Sequence, residues 1–186
     1  MSRNIVVPNE EFFDNIVDEL RVAGRVKLLV RGGSMFPFFR DSIDTVVLLE
    51  LGEDEPLHRG GIYLFKSNGR YILHRLARVK HRKVVDCGGC PPRSTEETQG
   101  SAEGQKKFGC SIKSVEPVYI FRGDGNPKGR EVASRDMVFA VAEKRIAPSG
   151  EEWSCNSKSW KLLSALWPKD YLFRRLFVGV LRRISY

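Results

Sequence analysis

Between Val26 and Ala142 the apolar residues fall into short runs with turn-forming residues between them. Val26-Lys27-Leu28-Leu29-Val30 ends at a pair of glycines, and Thr45-Val46-Val47-Leu48-Leu49 follows. Ile62-Tyr63-Leu64-Phe65 and Tyr71-Ile72-Leu73 flank Ser67-Asn68-Gly69, whose Asn-Gly pair suits a hairpin turn. Val84-Val85, Val118-Tyr119-Ile120-Phe121 and Met137-Val138-Phe139-Ala140-Val141-Ala142 continue the series. Runs this short, rich in β-branched and aromatic residues, read as strands rather than helices. Strands joined by turns, with little helix between them, impose a mainly β fold built on an antiparallel sheet.

Helical periodicity is confined to the two ends. Phe12, Phe13, Ile16, Val17 and Leu20 recur at helical spacing after Asn9, a good cap, and before Gly24, a good stop. This predicts an amphipathic helix over 10–23, packed on the sheet. Beyond Pro148-Ser149-Gly150, Trp160, Leu162, Leu163, Leu166 and Trp167 precede Pro168. Tyr171, Leu172, Phe173, Leu176, Phe177, Val180 and Leu181 follow it. Two amphipathic helices are expected there. Residues 158–186 carry seven Lys and Arg against a single Asp170, a net +6 out of the chain's +8. An apolar face beside a cationic one is the pattern of a helix lying in an anionic membrane interface. A tail folded back on the β domain, or docked on a partner protein, has the same composition. The expected organisation is a β domain over 1–148 and a basic helical tail over 149–186, with a long loop at 86–114.

That loop is rich in Gly, Ser, Pro, Glu and Lys, and holds Cys87, Cys90 and Cys110. A Cys-x-x-Cys pair needs a second ligand pair to close a tetrahedral zinc site, and none stands at motif spacing. No metal or cofactor is therefore expected. The apolar run Ile5-Val6-Val7 is too short for a secretory signal, and no stretch approaches the roughly 20 apolar residues of a spanning helix. The expected location is the cytoplasm, or a membrane face reached from it. A charge of +8 attracts an anionic partner, but its excess sits in the tail. No aromatic-basic stripe runs through the β segments, which argues against nucleic acid.

Three groups in the β segments have the chemistry of a nucleophilic site. Ser34 stands in Gly32-Gly33-Ser34-Met35-Phe36-Pro37, where glycines allow a sharp turn and close approach by substrate. His74 ends a strand in Tyr71-Ile72-Leu73-His74-Arg75, among apolar neighbours suited to a general base. Asp124 lies in the turn Arg122-Gly123-Asp124-Gly125-Asn126, where it can orient an imidazole or pair with Arg75. Met35 and Phe36 are expected to help wall a pocket for small side chains, or else to be core. His58 and His81, in polar basic contexts, read as surface residues.

Taken in order, these elements resemble the signal peptidases and their LexA-like relatives over roughly residues 26–146. The shared pattern is Gly-x-Ser-Met-x-Pro, then Asp41 and Asp44 ahead of a strand, Tyr63-Leu64-Phe65, His74-Arg75, and Gly123-Asp124-x-Asn126. In the bacterial signal peptidases the base is a lysine followed by arginine; in the endoplasmic-reticulum and archaeal type it is histidine. His74-Arg75 resembles the second type. The resemblance implies a coiled antiparallel sheet and a serine endopeptidase that needs no cofactor. Ser34 would be its nucleophile, His74 its base and Asp124 its third member. Its substrate would be a peptide or protein, leader and signal peptides being candidates.

The chain departs from that family at three places. Gly32 replaces a serine that helps the oxyanion hole, so the hole would rest on backbone N–H groups. Gly60-Gly61 replaces Gly-Asp, which would loosen a structural turn. The histidine type carries acidic residues shortly after Gly-Asp-x-Asn, whereas Pro127-Lys128-Gly129-Arg130-Glu131 follows here. The chain also has neither the membrane-spanning anchor of signal peptidases nor the N-terminal DNA-binding domain of LexA-type repressors, so a cytosolic or peripheral peptidase is the expected form. Two rivals remain: a catalytically inactive peptide-binding scaffold of the same fold, and, from the +8 charge, a nucleic-acid-binding module.

Overall fold

The computed structural model describes residues 9–86, 111–126, 129–167 and 171–184. Helix α1 (Asn9–Ala23) forms where the periodicity places it. Its Ile16, Val17 and Leu20 are buried, and Phe13 stacks on Tyr71 at 5.3 Å. The Tyr71 hydroxyl donates to Asp14 at 2.5 Å, pinning the helix to the sheet. Gly24, at φ 68°, ends it, and its N–H bonds the Leu20 carbonyl.

The strands are β1 (Arg25–Leu29), β2 (Thr45–Glu50), β3 (Ile62–Ser67), β4 (Arg70–Asp86), β5 (Ser111–Arg122), β6 (Glu131–Ala133), β7 (Val138–Ile146) and β8 (Glu152–Ser154). They make one sheet in the order β1-β2-β7-β3-β4-β5-β6, with β8 on β7. The β1–β2, β2–β7, β3–β7, β3–β4, β5–β6 and β7–β8 pairs are antiparallel. The molecule is thus mainly β, as its short apolar runs require. Asn68 and Gly69, at φ 50° and 72°, make the hairpin between β3 and β4.

Strand β3 is buried on both faces, which is why Ile-Tyr-Leu-Phe reads as an unbroken apolar run. Ile62 and Leu64 join one core with Leu20, Met35, Phe39, Leu48 and Trp160. Tyr63 and Phe65 join a second with Leu51, Leu76, Phe121 and Val138. The Phe65 and Phe121 rings stack at 4.0 Å.

The chain divides into two compact units, one of residues 1–80 with 118–186, the other of residues 81–117. The division differs from the expected boundary at 148/149. Strand β8 pairs with β7, and Trp160 of helix α2 (Lys158–Leu166) is 5% exposed within the first core. The first half of the expected tail therefore belongs to the body of the larger unit, as does helix α3 (Tyr171–Ile184), which buries Val178. The long-loop expectation is corrected at its ends: Asp86 closes β4, and residues 111–114 open β5. Its remainder, with Cys87, Cys90 and Cys110, lies outside the described residues.

A buried carboxylate anchors the segment between β1 and β2 to the body. Asp44 is fully buried and accepts from the backbone N–H of Arg40 at 2.7 Å and from its Nη2 at 2.8 Å. Arg145 Nη2 donates at 3.2 Å, while its Nε lies 2.9 Å away as an ion pair whose N–H points off the line. Burial pushes the Asp44 carboxyl upward, and the bonds from Arg40 and Arg145 outweigh it, so the carboxyl titrates below its ordinary value. The ionised form is the native one, so this stabilisation is complete above about pH 4 and lost as pH falls through the folded value. Asp44→Asn is expected to cost about 3 kcal/mol in urea unfolding at neutral pH, because it strands the mostly buried Arg145 guanidinium. The gap between wild type and variant should close on acidification below about pH 4; a gap independent of pH would exclude the ion pair as its source.

Candidate active site

The Gly-Gly-Ser run folds as a tight turn. Gly32, at φ 88°, precedes a single 3-10 turn over Gly33–Met35, and the Phe36 N–H closes onto the Gly33 carbonyl. Asp41 accepts from the Gly32 N–H at 2.8 Å, a bond that holds its carboxyl below the ordinary value. Ser34 is half-buried on this turn. Met35 and Phe36, expected to wall a pocket, are 2% and 6% exposed, and Met35 packs inside the first core. They support the turn from beneath.

The turn after β5 presses backbone to backbone against the Ser34 turn. The Gly125 N–H donates to the Ser34 carbonyl at 2.7 Å. A Cβ added at Gly125 would collide with the Gly33 carbonyl. One added at Gly123 would stand 2.5 Å from the Ser34 carbonyl oxygen and 2.8 Å from Nε2 of His74. Both glycines are therefore required by close approach, and the Ser34 backbone and the His74 imidazole meet at Gly123.

His74 is 3% exposed and faces the second core, its ring 6.4 Å from that of Phe65. Its Nδ1 lies 2.8 Å from Oε2 of Glu131, the first residue of β6. With Nδ1–H donating to this carboxylate, the neutral imidazole carries its lone pair on Nε2, the nitrogen at Gly123. Glu131 was not singled out from the sequence, although it is the acidic residue that follows Gly-Asp-x-Asn. The strand that delivers it is three residues long, too short to leave a periodic signal.

Asp124 is turned the other way. Alternation along β4 sends Arg75 to the face opposite His74, and Asp124 meets Arg75 there. Arg75 Nη2 donates to Oδ2 at 2.7 Å and its Nε to both oxygens at 3.1 Å. Of the two roles left open for Asp124, the geometry has the Arg75 pair. Arg75 also bonds the Gly60 carbonyl at 2.8 Å and lies 4.9 Å over the Phe38 ring. The Asp124 carbonyl accepts from the indole of Trp167 at 3.0 Å, which ties α2 to the site.

The Gly60-Gly61 turn, expected to be loose, is held by three bonds. Gly61 N–H donates to His58, Gly60 N–H to Leu76, and Leu76 N–H to Gly61. A Cβ at Gly61 would stand 2.7 Å from the Tyr63 ring, so that ring occupies the space of an aspartate side chain. His58 and His81 are exposed, as expected. Cys155 is a free thiol that burial pushes up to about 12, which makes it a poor nucleophile or metal ligand. Among the described residues no group of three His, Cys, Asp or Glu could hold a metal ion.

The chain matches no protein-family model, and a search of curated proteins found no match either.

Gly123→Ala is expected to displace both the Ser34 turn and the His74 ring, because neither backbone nor a buried imidazole gives way cheaply. It should lower thermal stability by about 1–3 kcal/mol. The His74 ring resonances should shift as well; unchanged resonances would mean that Gly123 does not set the imidazole.

Proposed function

We propose that this chain is a serine endopeptidase of the signal peptidase and LexA-like type, working through Ser34, His74 and Glu131. The observation that carries the reading is the meeting of the Ser34 turn and His74 Nε2 at Gly123, with Nδ1 held by Glu131. That is the order nucleophile, base, orienting carboxylate. His74 Nε2 takes the hydroxyl proton as Ser34 Oγ bonds the peptide carbonyl carbon. The carbonyl oxygen becomes an oxyanion, stabilised by backbone N–H groups at the start of the 3-10 turn, which have no partner within it. Collapse breaks the C–N bond, and His74 returns the proton to the leaving amine. Water, deprotonated by His74, then hydrolyses the acyl-enzyme and frees Ser34. Glu131 fixes the imidazole tautomer and stabilises the imidazolium. Asp124 and Arg75 are positioning residues that lock the turn bearing Gly123.

The helices α2 and α3 support a peripheral position on an anionic membrane. No helix among the described residues is long and apolar enough to cross one. Phe173, Leu176, Phe177 and Val180 form an outward stripe at helical spacing, from 48% to 65% exposed, while Val178 turns inward. Leu162, Leu163 and Leu166 of α2 are exposed by 59–71%, and Lys158, Lys161, Arg175 and Arg183 are exposed on the same helices. Apolar side chains facing water beside cations suit the acyl and headgroup layers of an anionic bilayer. Trp167 packs on Phe177 and bonds Asp124, so the same helices brace the site.

A fluorophosphonate probe should label Ser34, and Ser34→Ala should abolish the label. His74→Ala should slow labelling by at least about 10³-fold and Glu131→Gln by about 10²–10⁴-fold. Labelling that survives Ser34→Ala would refute the peptidase mechanism. In co-sedimentation, phosphatidylglycerol vesicles should bind the protein, phosphatidylcholine vesicles only weakly, and added salt should release it. Leu176→Glu with Phe177→Glu should weaken vesicle binding about tenfold or more; unchanged binding would remove α3 from the contact.

A further inference from the structure

A cavity of about 930 Å³ lies beside the Arg75–Asp124 pair, and its lining is strongly cationic. Neither Ser34 nor His74 lines it, but Arg75, Asp124 and Trp167 do. Arg59, Arg78, Lys80, Arg122, Arg130 and Lys161 line it too. Among the described residues none of these six makes an ion pair. The lining carboxylates are Glu55 and Asp124, and Asp124 is already bonded to Arg75. Six cations around one cavity repel one another, and a bound anion relieves that repulsion.

Two of the lining residues carry buried donor atoms. Arg122 Nε and the Trp160 indole N–H are both without a hydrogen-bond partner among the described residues, and both residues line the cavity. Trp160 is 5% exposed, so its N–H is cut off from bulk water. Both atoms are sealed off, so a ligand carboxylate would meet the exposed Arg59, Arg78, Lys80 and Lys161 of the lining.

The backbone at the rim favours a polypeptide. Strand β3 begins at Ile62, opposite Arg75, and Gly60 and Gly61 bond Leu76. Beyond that point Ala77, Arg78 and Lys80 of β4 line the cavity with no β3 residue in register. An extended chain can add to such an edge through main-chain hydrogen bonds. A single-stranded nucleic acid wants exposed aromatic platforms; of the lining aromatics Tyr63 and Trp160 are buried, and Trp167 is half-buried against Phe38 and Phe177.

We propose that this cavity binds a peptide segment rich in Asp and Glu, laid along the Ala77–Lys80 edge of β4 with its carboxylates on the surrounding Arg and Lys. The proposal rests on the peptidase reading in naming the substrate class: the protein cut at Ser34 carries an acidic segment. Binding is tested separately from cleavage by using Ser34→Ala protein and a fluorescein-labelled Asp/Glu-rich peptide, with its Asn/Gln counterpart as control. Fluorescence anisotropy should give a dissociation constant about tenfold or more tighter for the acidic peptide, weakening with salt. Arg59→Glu with Arg78→Glu, both at exposed positions outside the C-terminal helices, should abolish that preference while vesicle binding and the melting temperature hold. This result would stand even if Ser34 never cleaved. Equal binding of the two peptides, or a preference that survives the charge reversals, would overturn the proposal. So would an RNA oligonucleotide or phosphatidylglycerol vesicle that displaces the acidic peptide at lower concentration and loses its own binding in the same double variant.

Discussion

The turn at Gly123-Asp124-Gly125 packs on the Ser34 turn with no side chain between them, and the site depends on that contact. Each glycine is required because a Cβ would strike the other turn or the His74 ring. The contact joins parts of the chain far apart in sequence: the 3-10 turn at Ser34, the end of β5, and through Asp124 both Arg75 and Trp167. Asp44 holds the next stretch of the Ser34 segment from inside the body. A loop is usually mobile; the one that carries Ser34 is clamped at both ends by groups that cannot move without exposing a buried charge or creating a clash.

Strand β4 divides its work between two faces. His74 faces the core of Phe65 and Phe121, where Glu131 reaches Nδ1. Arg75, one residue on, faces the other side, where it binds Asp124, Gly60 and the Phe38 ring. Period-two alternation thus separates the proposed proton-transfer pair from the structural pair, although both come from one dipeptide. The structural pair opens onto the cationic cavity, and the helices that present apolar side chains outward close over the same pair through Trp167.

Much of this was legible in the sequence where a pattern had length. Strands β2, β3 and β7, the Asn68-Gly69 hairpin and α1 follow from periodicity and turn chemistry alone. The Ser34 backbone and the His74 ring both lie against the Gly123 turn. What was hidden was short or two-sided. Strands β6 and β8 have three residues each, so Glu131, the carboxylate beside His74 Nδ1, stood outside any readable element. Helix α2 carries apolar residues on two faces: Trp160 turns into the core while Leu162, Leu163 and Leu166 face out, so composition alone could not separate docking from exposure. Met35 and Phe36 belong to the turn's foundation because burial, invisible in a linear motif, decides their role.

The central claim is that Ser34, His74 and Glu131 act as one charge-coupled unit. The direct measurement is the second-order rate of fluorophosphonate labelling in wild type, His74→Ala, Glu131→Gln and the double variant, with the labelled residue identified by peptide mass spectrometry. A coupled unit predicts label on Ser34 and a double variant no slower than His74→Ala alone, because Glu131 acts only through the imidazole. Losses that multiply in the double variant, or label on any residue other than Ser34, would contradict it.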